Sequence, residues 1–172
     1  METSTDLGFV EDTDEKWRFL SHYFPCKLGG PPAWLSFTGI PKGDDLKCDK
    51  CGKNCKFLLQ LYSPISSTPA CFHRALFLFC CTSKGCAERS FKCLRSQLRR
   101  NNKFYRAVPP DEDHFDESEP YPKAADHQKL CSVCGCAADK SCAQCHSVSY
   151  CSKDHQILDW KSGHKAICSG EG

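Results

Sequence analysis

Residues 131–168, CSVCGCAADKSCAQCHSVSYCSKDHQILDWKSGHKAIC, decide the fold of this chain. Four pairs of potential metal ligands lie in this stretch: Cys131-x2-Cys134, Cys142-x2-Cys145, Cys151-x3-His155 and His164-x3-Cys168. A Cys-x-x-Cys turn points two thiolates at one ion, and ligands four residues apart share one face of a helix. A structural zinc ion takes four thiolate or imidazole ligands in a closed tetrahedron, so these eight side chains predict two zinc sites.

The alternative interpretation of the cysteines is a disulfide framework. Histidines at ligand spacing are not required by disulfides, and they favour zinc. The chain has 16 cysteines in 172 residues. Its first residues are acidic and contain no apolar run, which is unlike a secretory signal peptide, and no stretch approaches the roughly 18 apolar residues of a membrane span. We therefore expect a reduced, intracellular, zinc-dependent protein with no membrane partner, in which Cys136 is a packed thiol and not a ninth ligand.

The ligand spacing resembles that of the MYND-type zinc finger, whose ligand pairs interleave. This resemblance implies a cross-braced finger with short helices. It assigns one zinc ion to Cys131, Cys134, Cys151 and His155, and the other to Cys142, Cys145, His164 and Cys168. Residue 155 is a departure, because the family usually has cysteine where this chain has histidine. Histidine binds zinc as well, so both sites are still expected.

A second zinc-like region precedes the finger. Cys48-x2-Cys51 and Cys81-x4-Cys86 read as two knuckles at the ends of paired strands, which predicts a zinc-ribbon-like site with these four ligands. Competing ligands lie nearby: Cys55, Cys80 and His73. His73 stands in an apolar context and is interpreted as structural. Three ions are thus expected in a small, zinc-stabilised α+β protein.

Several apolar runs predict strands in the first half. Residues 57–62, 72–79 and 90–95 have strand length or alternate apolar with polar side chains. The runs at 33–37 and 7–10 predict a half-buried strand and a short edge strand. Cys26, Cys71 and Cys93 have no partner at ligand spacing, and we expect them to be packed thiols.

The expected domains are an amino-terminal β-rich zinc-binding domain, an acidic proline-rich linker and the finger, over residues 1–108, 109–126 and 127–172. Net charge is only +2. The charge is placed unevenly, however, since residues 2–15 and 111–119 each hold six acids and no base, whereas residues 84–106 hold eight bases and one acid. Such blocks are either solvated faces or partner sites.

The first half resembles the amino-terminal region of the programmed cell death protein 2 family. The matching stretches are KLGGPPAWL at 27–35, CDKCG at 48–52, FLLQLYSP at 57–64, FHRALFLFCC at 72–81 and NKFY at 102–105. By resemblance, the protein is a dedicated escort for a newly made, basic small-subunit ribosomal protein, found in nucleus and cytoplasm. The resemblance also implies links to ribosome biogenesis, cell death, stem-cell maintenance and corepressor complexes. Family members continue into a carboxy-terminal domain that is not in this sequence.

Three function classes remain to be weighed. Catalysis is not expected, because each proposed zinc ion has four protein ligands and no phosphate-binding loop or nucleophile elbow is present. The second class is an adaptor: MYND fingers dock proline-rich peptides, and Gln156 and Trp160, four residues apart, could wall a groove, although Trp160 could equally close the finger's own core. The third is nucleic-acid binding through the basic residues 95–106, which also suit a solvated edge strand.

Overall fold

A four-stranded antiparallel sheet forms the centre of the amino-terminal half in a computed structural model of the chain. The structure describes residues 7–86, 88, 90–106, 115 and 120–168. The strands are β1 (Lys27–Leu28), β2 (Lys56–Tyr62), β3 (His73–Cys80) and β4 (Phe91–Leu98), and they lie side by side in chain order. The three longer strands lie where the sequence predicts them. The antiparallel sheet and the short helices of the finger confirm the small α+β class.

The inner face of the sheet carries the core. Along β3 every second residue is buried, and Phe77 and Phe79 are fully inaccessible. The indole ring of Trp34 packs on Phe77 with ring centroids 4.7 Å apart. Aromatic rings from loops on both sides complete this layer, which is why short strands suffice to hold the fold.

The predicted strand at residues 33–37 is wrong. This segment is a buried loop, in which Trp34, Leu35 and Phe37 point into the core. Gly29 and Gly30 adopt positive φ angles of 70° and 66° and turn the chain away from the sheet after β1. The buried side chain of Gln60 supplies backbone hydrogen bonds that a neighbouring strand would otherwise make. Its Oε1 accepts the Ala33 N–H at 2.8 Å, and its Nε2 donates to the Pro25 carbonyl at 3.0 Å.

Two further expectations fail in the same half. Residues 7–10 form no strand, and Leu7, Phe9 and Val10 are 79%, 85% and 74% exposed. Cys26 and Cys93 are exposed thiols, whereas Cys71 is half-buried. Cys93 is exposed because it lies on the outer face of β4, away from the core.

The finger has its own small framework. Its elements are β5 (Lys140–Ser141), β6 (Ser149–Tyr150), α1 (Lys153–Asp159), a π-helical turn (Trp160–His164) and α2 (Lys165–Ile167). Ser152 caps α1 by accepting the N–H of His155 at 3.2 Å. The hydroxyl of Tyr150, a fully buried residue, donates to the Asp159 carboxylate at 2.7 Å. No helix in the described part of the chain has the length and apolar content to cross a membrane.

The two halves of the chain pack directly on each other. Cys136 is fully buried in the core of the amino-terminal half, and its neighbour Ala137 donates its N–H to the Pro41 carbonyl at 2.9 Å. Ala124, inside the predicted linker, is buried in the same core, while residues 109–114 and 116–119 of that linker lie outside the described residues. The domain boundaries at 108 and 126 stay a prediction.

Candidate metal centres

Three groups of cysteine and histidine side chains converge in the structure. Within each group, the potential ligand atoms all lie within 4.8 Å of one another. The groups are Cys48, Cys51, Cys81 and Cys86; Cys131, Cys134, Cys151 and His155; and Cys142, Cys145, His164 and Cys168. We call them clusters A, B and C. They are the same three sets that the sequence predicts, and clusters B and C interleave along the chain.

The distances inside the clusters fit zinc. Bonds of about 2.3 Å to sulfur and 2.0 Å to nitrogen place tetrahedral ligand atoms roughly 3.5–3.8 Å apart. In cluster A the Cys48–Cys86 and Cys51–Cys81 sulfurs are 3.8 and 3.7 Å apart. A disulfide has a sulfur–sulfur distance of about 2.05 Å, so these separations suit a shared ion and not a covalent bond.

Clusters B and C show the same spacing. In B, Sγ of Cys134 lies 3.6 Å from Sγ of Cys151, and Nδ1 of His155 lies 3.5 Å from Sγ of Cys131. In C, the Cys142 and Cys168 sulfurs are 3.7 Å apart, and Nε2 of His164 is 3.7 Å from the Cys145 sulfur. One histidine thus stands at a potential ligand position in cluster B and another in cluster C. The chain therefore has three sites that can each hold a zinc ion.

One backbone turn recurs in all three clusters. The carbonyl of the first cysteine in each Cys-x-x-Cys accepts the N–H four residues on: Gly52 to Cys48 at 2.9 Å, Gly135 to Cys131 at 2.8 Å, and His146 to Cys142 at 3.0 Å. All three donor residues have a positive φ, of 69°, 68° and 55° respectively. Glycine adopts this conformation without strain, whereas His146 does so at some cost. The turn aims both sulfurs at one point.

Cluster A lies at one end of the sheet. Its first knuckle precedes β2 and its second joins β3 to β4, so the strand pairing holds the two knuckles together. The competing residues are not part of this cluster. Cys55 is buried but is not among the convergent atoms, and Nδ1 of His73 is hydrogen-bonded to the Tyr62 hydroxyl at 2.8 Å. Cys80 is half-buried and is not among the convergent atoms of this cluster.

The ionisation of cluster B favours a cation. Hydrogen bonds from the Cys134 and Cys151 thiols lower the pKa of Cys131 strongly, while the proximity of Cys131 raises the pKa of both neighbours. Hydrogen bonds to Cys131 and then Cys151 raise the pKa of His155 to about 9. The thiolate of Cys131 is thus stabilised, and its presence opposes deprotonation of Cys134 and Cys151. A divalent ion removes that opposition, because its charge stabilises every thiolate at once.

Cluster B is also in contact with the amino-terminal half. A Cβ placed on Gly43 would lie 2.9 Å from the Cys151 sulfur and 3.0 Å from Nδ2 of Asn54. Likewise, a Cβ on Gly135 would lie 2.9 Å from the ring of Pro32. The sequence reasoning missed both contacts. The only available signal was the glycine itself, and a glycine does not reveal which surface approaches it.

Gln156 and Trp160 lie on α1 and at the start of the π-helical turn that follows it. Both side chains are half-buried, and the Trp160 ring is 5.7 Å from the ring of His164, edge to face. Trp160 therefore neither fills the core of the finger completely nor stands free of it. Its ring contacts His164, a ligand of cluster C, and part of the side chain is exposed.

Comparison with known protein families gives one match in each half of the chain. Residues 4–112 match the family described as programmed cell death protein 2, N-terminal domain. The chain belongs to the programmed cell death protein 2 family. Residues 131–168 match the MYND finger, which contains clusters B and C.

The chain is similar to curated proteins of several mammals. Programmed cell death protein 2 of Bos taurus is 46% identical over 166 residues, which is 95% of this chain and 48% of that protein. The Mus musculus protein of that name is 44% identical over 167 residues, with the same two coverages. Programmed cell death protein 2-like of Homo sapiens is 38% identical over 74 residues, 41% of this chain and 19% of that protein. The chain thus spans about half the length of the relatives it matches most fully. No solved structure was found to match it.

Proposed function

We propose that the chain is a non-enzymatic, zinc-dependent escort for a basic small-subunit ribosomal protein, working in both nucleus and cytoplasm. The zinc ions are structural in this proposal: each of the three clusters supplies four protein ligands, which fills the tetrahedron and leaves no position for a substrate. Membership of the programmed cell death protein 2 family supports a role in binding other proteins.

The exposed acidic arm at the amino terminus, residues 7–15, is the observation that carries the escort proposal. Every residue of this arm is exposed, and Glu11, Asp12 and Asp14 form no ion pair within the described residues. Newly made ribosomal proteins are basic and attract polyanions until they are assembled. An unpaired acidic segment offers such a client a competing, protein-borne anion. Residues 111–119 repeat this composition in the sequence.

Co-purification tests the proposal. The zinc-loaded chain is co-expressed with each small-subunit ribosomal protein in turn, and capture is measured at increasing salt. We expect one basic client to co-purify, with affinity that falls as salt rises, because exposed charge pairs are screened. Replacing the acids of residues 2–15 and 111–119 with their amides should weaken capture and flatten its salt dependence.

A matched variant controls for general loss of charge. Asp44 and Asp49 are exposed acids of the same half that are already paired, with Lys47 at 2.8 Å and with Lys92 respectively. Changing both to asparagine should leave capture of the client unchanged. The shielding mechanism fails if the arm and linker variants bind the client as tightly, and with the same salt dependence, as the parent chain. Imaging of the tagged chain in both compartments tests the location.

A corepressor adaptor is the second candidate function, and the half-exposed Trp160 favours it. Its ring offers an apolar wall beside Gln156, and tryptophan is an effective anchor for proline-containing peptides. Titration of a proline-rich peptide tests this function, with binding followed by tryptophan fluorescence in the parent chain and by calorimetry in the parent chain and its variants. Trp160→Ala should abolish binding while clusters B and C keep their zinc, and Trp17→Ala is the matched control. Unchanged fluorescence at saturating peptide would reject the adaptor.

A further inference from the structure

The outer face of the sheet is apolar and basic, which is unusual for a surface that faces water. Neighbouring residues across the strands form the row Leu28, Leu59, Leu78 and Cys93 and the row Leu61, Leu76 and Arg95. Leu28 and Leu61 are 57% and 46% exposed. The four strands contain no acidic residue. A water-facing side of an antiparallel sheet is normally polar, so this face has the character of an interaction surface.

Strand β4 adds an open edge to that face. It is the last strand in the order, so its outer edge has no neighbouring strand among the described residues. Phe91, Cys93 and Arg95 alternate along it and are exposed, with Phe91 at 58%. Arg95 forms no ion pair in the described part of the chain. An open edge with an apolar and cationic face selects an incoming strand that is apolar and acidic.

The acidic arm has this pattern. Leu7, Phe9 and Glu11 alternate, so an extended arm presents two large apolar side chains and then a carboxylate on one face. Leu7 and Phe9 are 79% and 85% exposed, and residues 7–12 make no hydrogen bond within the described residues. Placed parallel to β4, the arm sets Leu7 beside Phe91, Phe9 beside Cys93 and Glu11 beside Arg95. Antiparallel pairing would instead set Leu7 beside Arg95.

The arm of the same chain is connected to the sheet near β1, at the edge opposite β4. It leads into a turn over Lys16–Phe19, and the Phe19 ring lies 5.5 Å from Nζ of Lys27 in β1, at the opposite edge from β4. A strand added beyond β4 lies four strand spacings from β1, or roughly 19 Å. The five residue-to-residue steps from Glu11 to Lys16 span roughly 17 Å when fully extended. A second copy of the chain has no such limit.

We propose that residues 7–11 of one copy add as a parallel strand to the open edge of β4 in a second copy, with Glu11 opposite Arg95. The interaction buries Leu7 and Phe9. It also gives Arg95, which has no ion-pair partner among the described residues, a carboxylate partner. It goes beyond the escort function and requires only the purified chain, so it fails or stands independently of any client.

Sedimentation velocity of the zinc-loaded full chain over a range of concentrations is the primary test. We expect concentration-dependent association that weakens with salt. Arg95→Glu and Glu11→Lys should each weaken it roughly tenfold, because like charges then face each other across the strands. The double variant that carries both changes should recover it. Circular dichroism and zinc content establish that each variant is folded.

Matched variants and a cross-link make the register testable. Arg99→Glu alters an exposed base beyond the end of β4, and Asp12→Lys alters an arm acid on the opposite face, so neither should weaken association. Phe9→Cys should cross-link to Cys93 of another copy, whereas Thr13→Cys should not. A chain that stays monomeric at all concentrations, or association that ignores both charge reversals or is not recovered by the double variant, would overturn the proposal.

Discussion

The indole N–H of Trp34 donates to the carbonyl of Gly135 at 2.6 Å, across 101 residues of sequence. Trp34 belongs to the buried loop of the amino-terminal half, and Gly135 ends the first knuckle of cluster B. This bond joins the core of one half to a metal site of the other. Removing zinc from cluster B should therefore disturb more of the chain than the finger alone.

Trp34→Phe tests the strength of this junction. The substitution keeps an aromatic ring against Phe77 but leaves the Gly135 carbonyl without its buried donor. An unsatisfied buried group costs about 1–3 kcal/mol, so we expect the free energy of unfolding to fall by that amount. Urea denaturation at saturating zinc measures it. Trp17→Phe, at a tryptophan outside this junction, is the control and should cost less. Equal costs for the two variants would contradict a junction role.

Gly43→Ala probes the contact between the amino-terminal half and cluster B. The added methyl group would stand 2.9 Å from the Cys151 sulfur, so either the ligand or the backbone of residue 43 must move. We expect weaker zinc binding at cluster B and a loss of stability of about 1–3 kcal/mol, typical of overpacking. Competition with a chromophoric chelator measures the zinc affinity.

Gly85→Ala is the matched control for that substitution. A Cβ at Gly85 meets nothing within 4 Å, although the residue lies in the knuckle next to Cys86 of cluster A. Its zinc affinity and stability should equal those of the parent chain. If Gly43→Ala binds all its zinc as tightly as Gly85→Ala does, Gly43 is not needed for the approach of the two halves.

Metal content offers a direct count of the clusters. Native mass spectrometry of the purified chain should find three zinc ions. Cys51→Ser and Cys145→Ser should each lose one, since each removes a corner of a tetrahedron. Cys93→Ser, which changes an exposed thiol outside the clusters, should keep all three. A metal-free chain, or one with its thiols joined in disulfides, would contradict the zinc assignment.

Chelation should then unfold the finger. Structural zinc contributes about 10–16 kcal/mol in small fingers near neutral pH. Apart from Tyr150, few large side chains in the described part of the finger are fully buried, so packing contributes much less. The finger is about the size at which domains need a metal to fold. We expect circular dichroism to lose the helical signal of α1 at equilibrium with a strong chelator. An unchanged spectrum would show that packing alone maintains the finger.

The metal clusters could be predicted from the sequence because their information is local. A Cys-x-x-Cys pair requires only a short turn, and the residue after the second cysteine, such as Gly52 or Gly135, marks that turn. The longer strands were predictable for a similar reason. Along β3, the apolar run itself has the length of a strand, and pairing on both sides keeps it extended.

Packing between distant segments could not be predicted in this way. Residues 33–37 have the composition of a half-buried strand, but Trp34, Leu35 and Phe37 are all buried in a loop, where a side chain satisfies part of the polar backbone. Here Gln60 plays that part, and no spacing rule connects it with Ala33. Similarly, the burial of Cys136 follows from the contact between the halves, which local patterns do not encode.

The pH dependence of stability can be tested at His73, which is away from the metal clusters. Burial, and then the charge of Arg100, lowers the pKa of His73 below its ordinary value of 6.5. The unfolded chain therefore binds the proton more readily than the folded chain. Stability from the neutral ring is present above pH 6.5 and is lost as the pH falls through 6.5 toward the lowered pKa.

His73→Phe keeps a ring against Phe24, 4.6 Å away, and should reduce the loss of stability between pH 7 and 5. Urea denaturation at saturating zinc measures the free energy of unfolding of the parent chain and the variant. Both chains have the same zinc ligands, so the titration of those ligands cancels when the two values are subtracted. A direct NMR titration that places the His73 pKa at or above 6.5 would contradict the prediction.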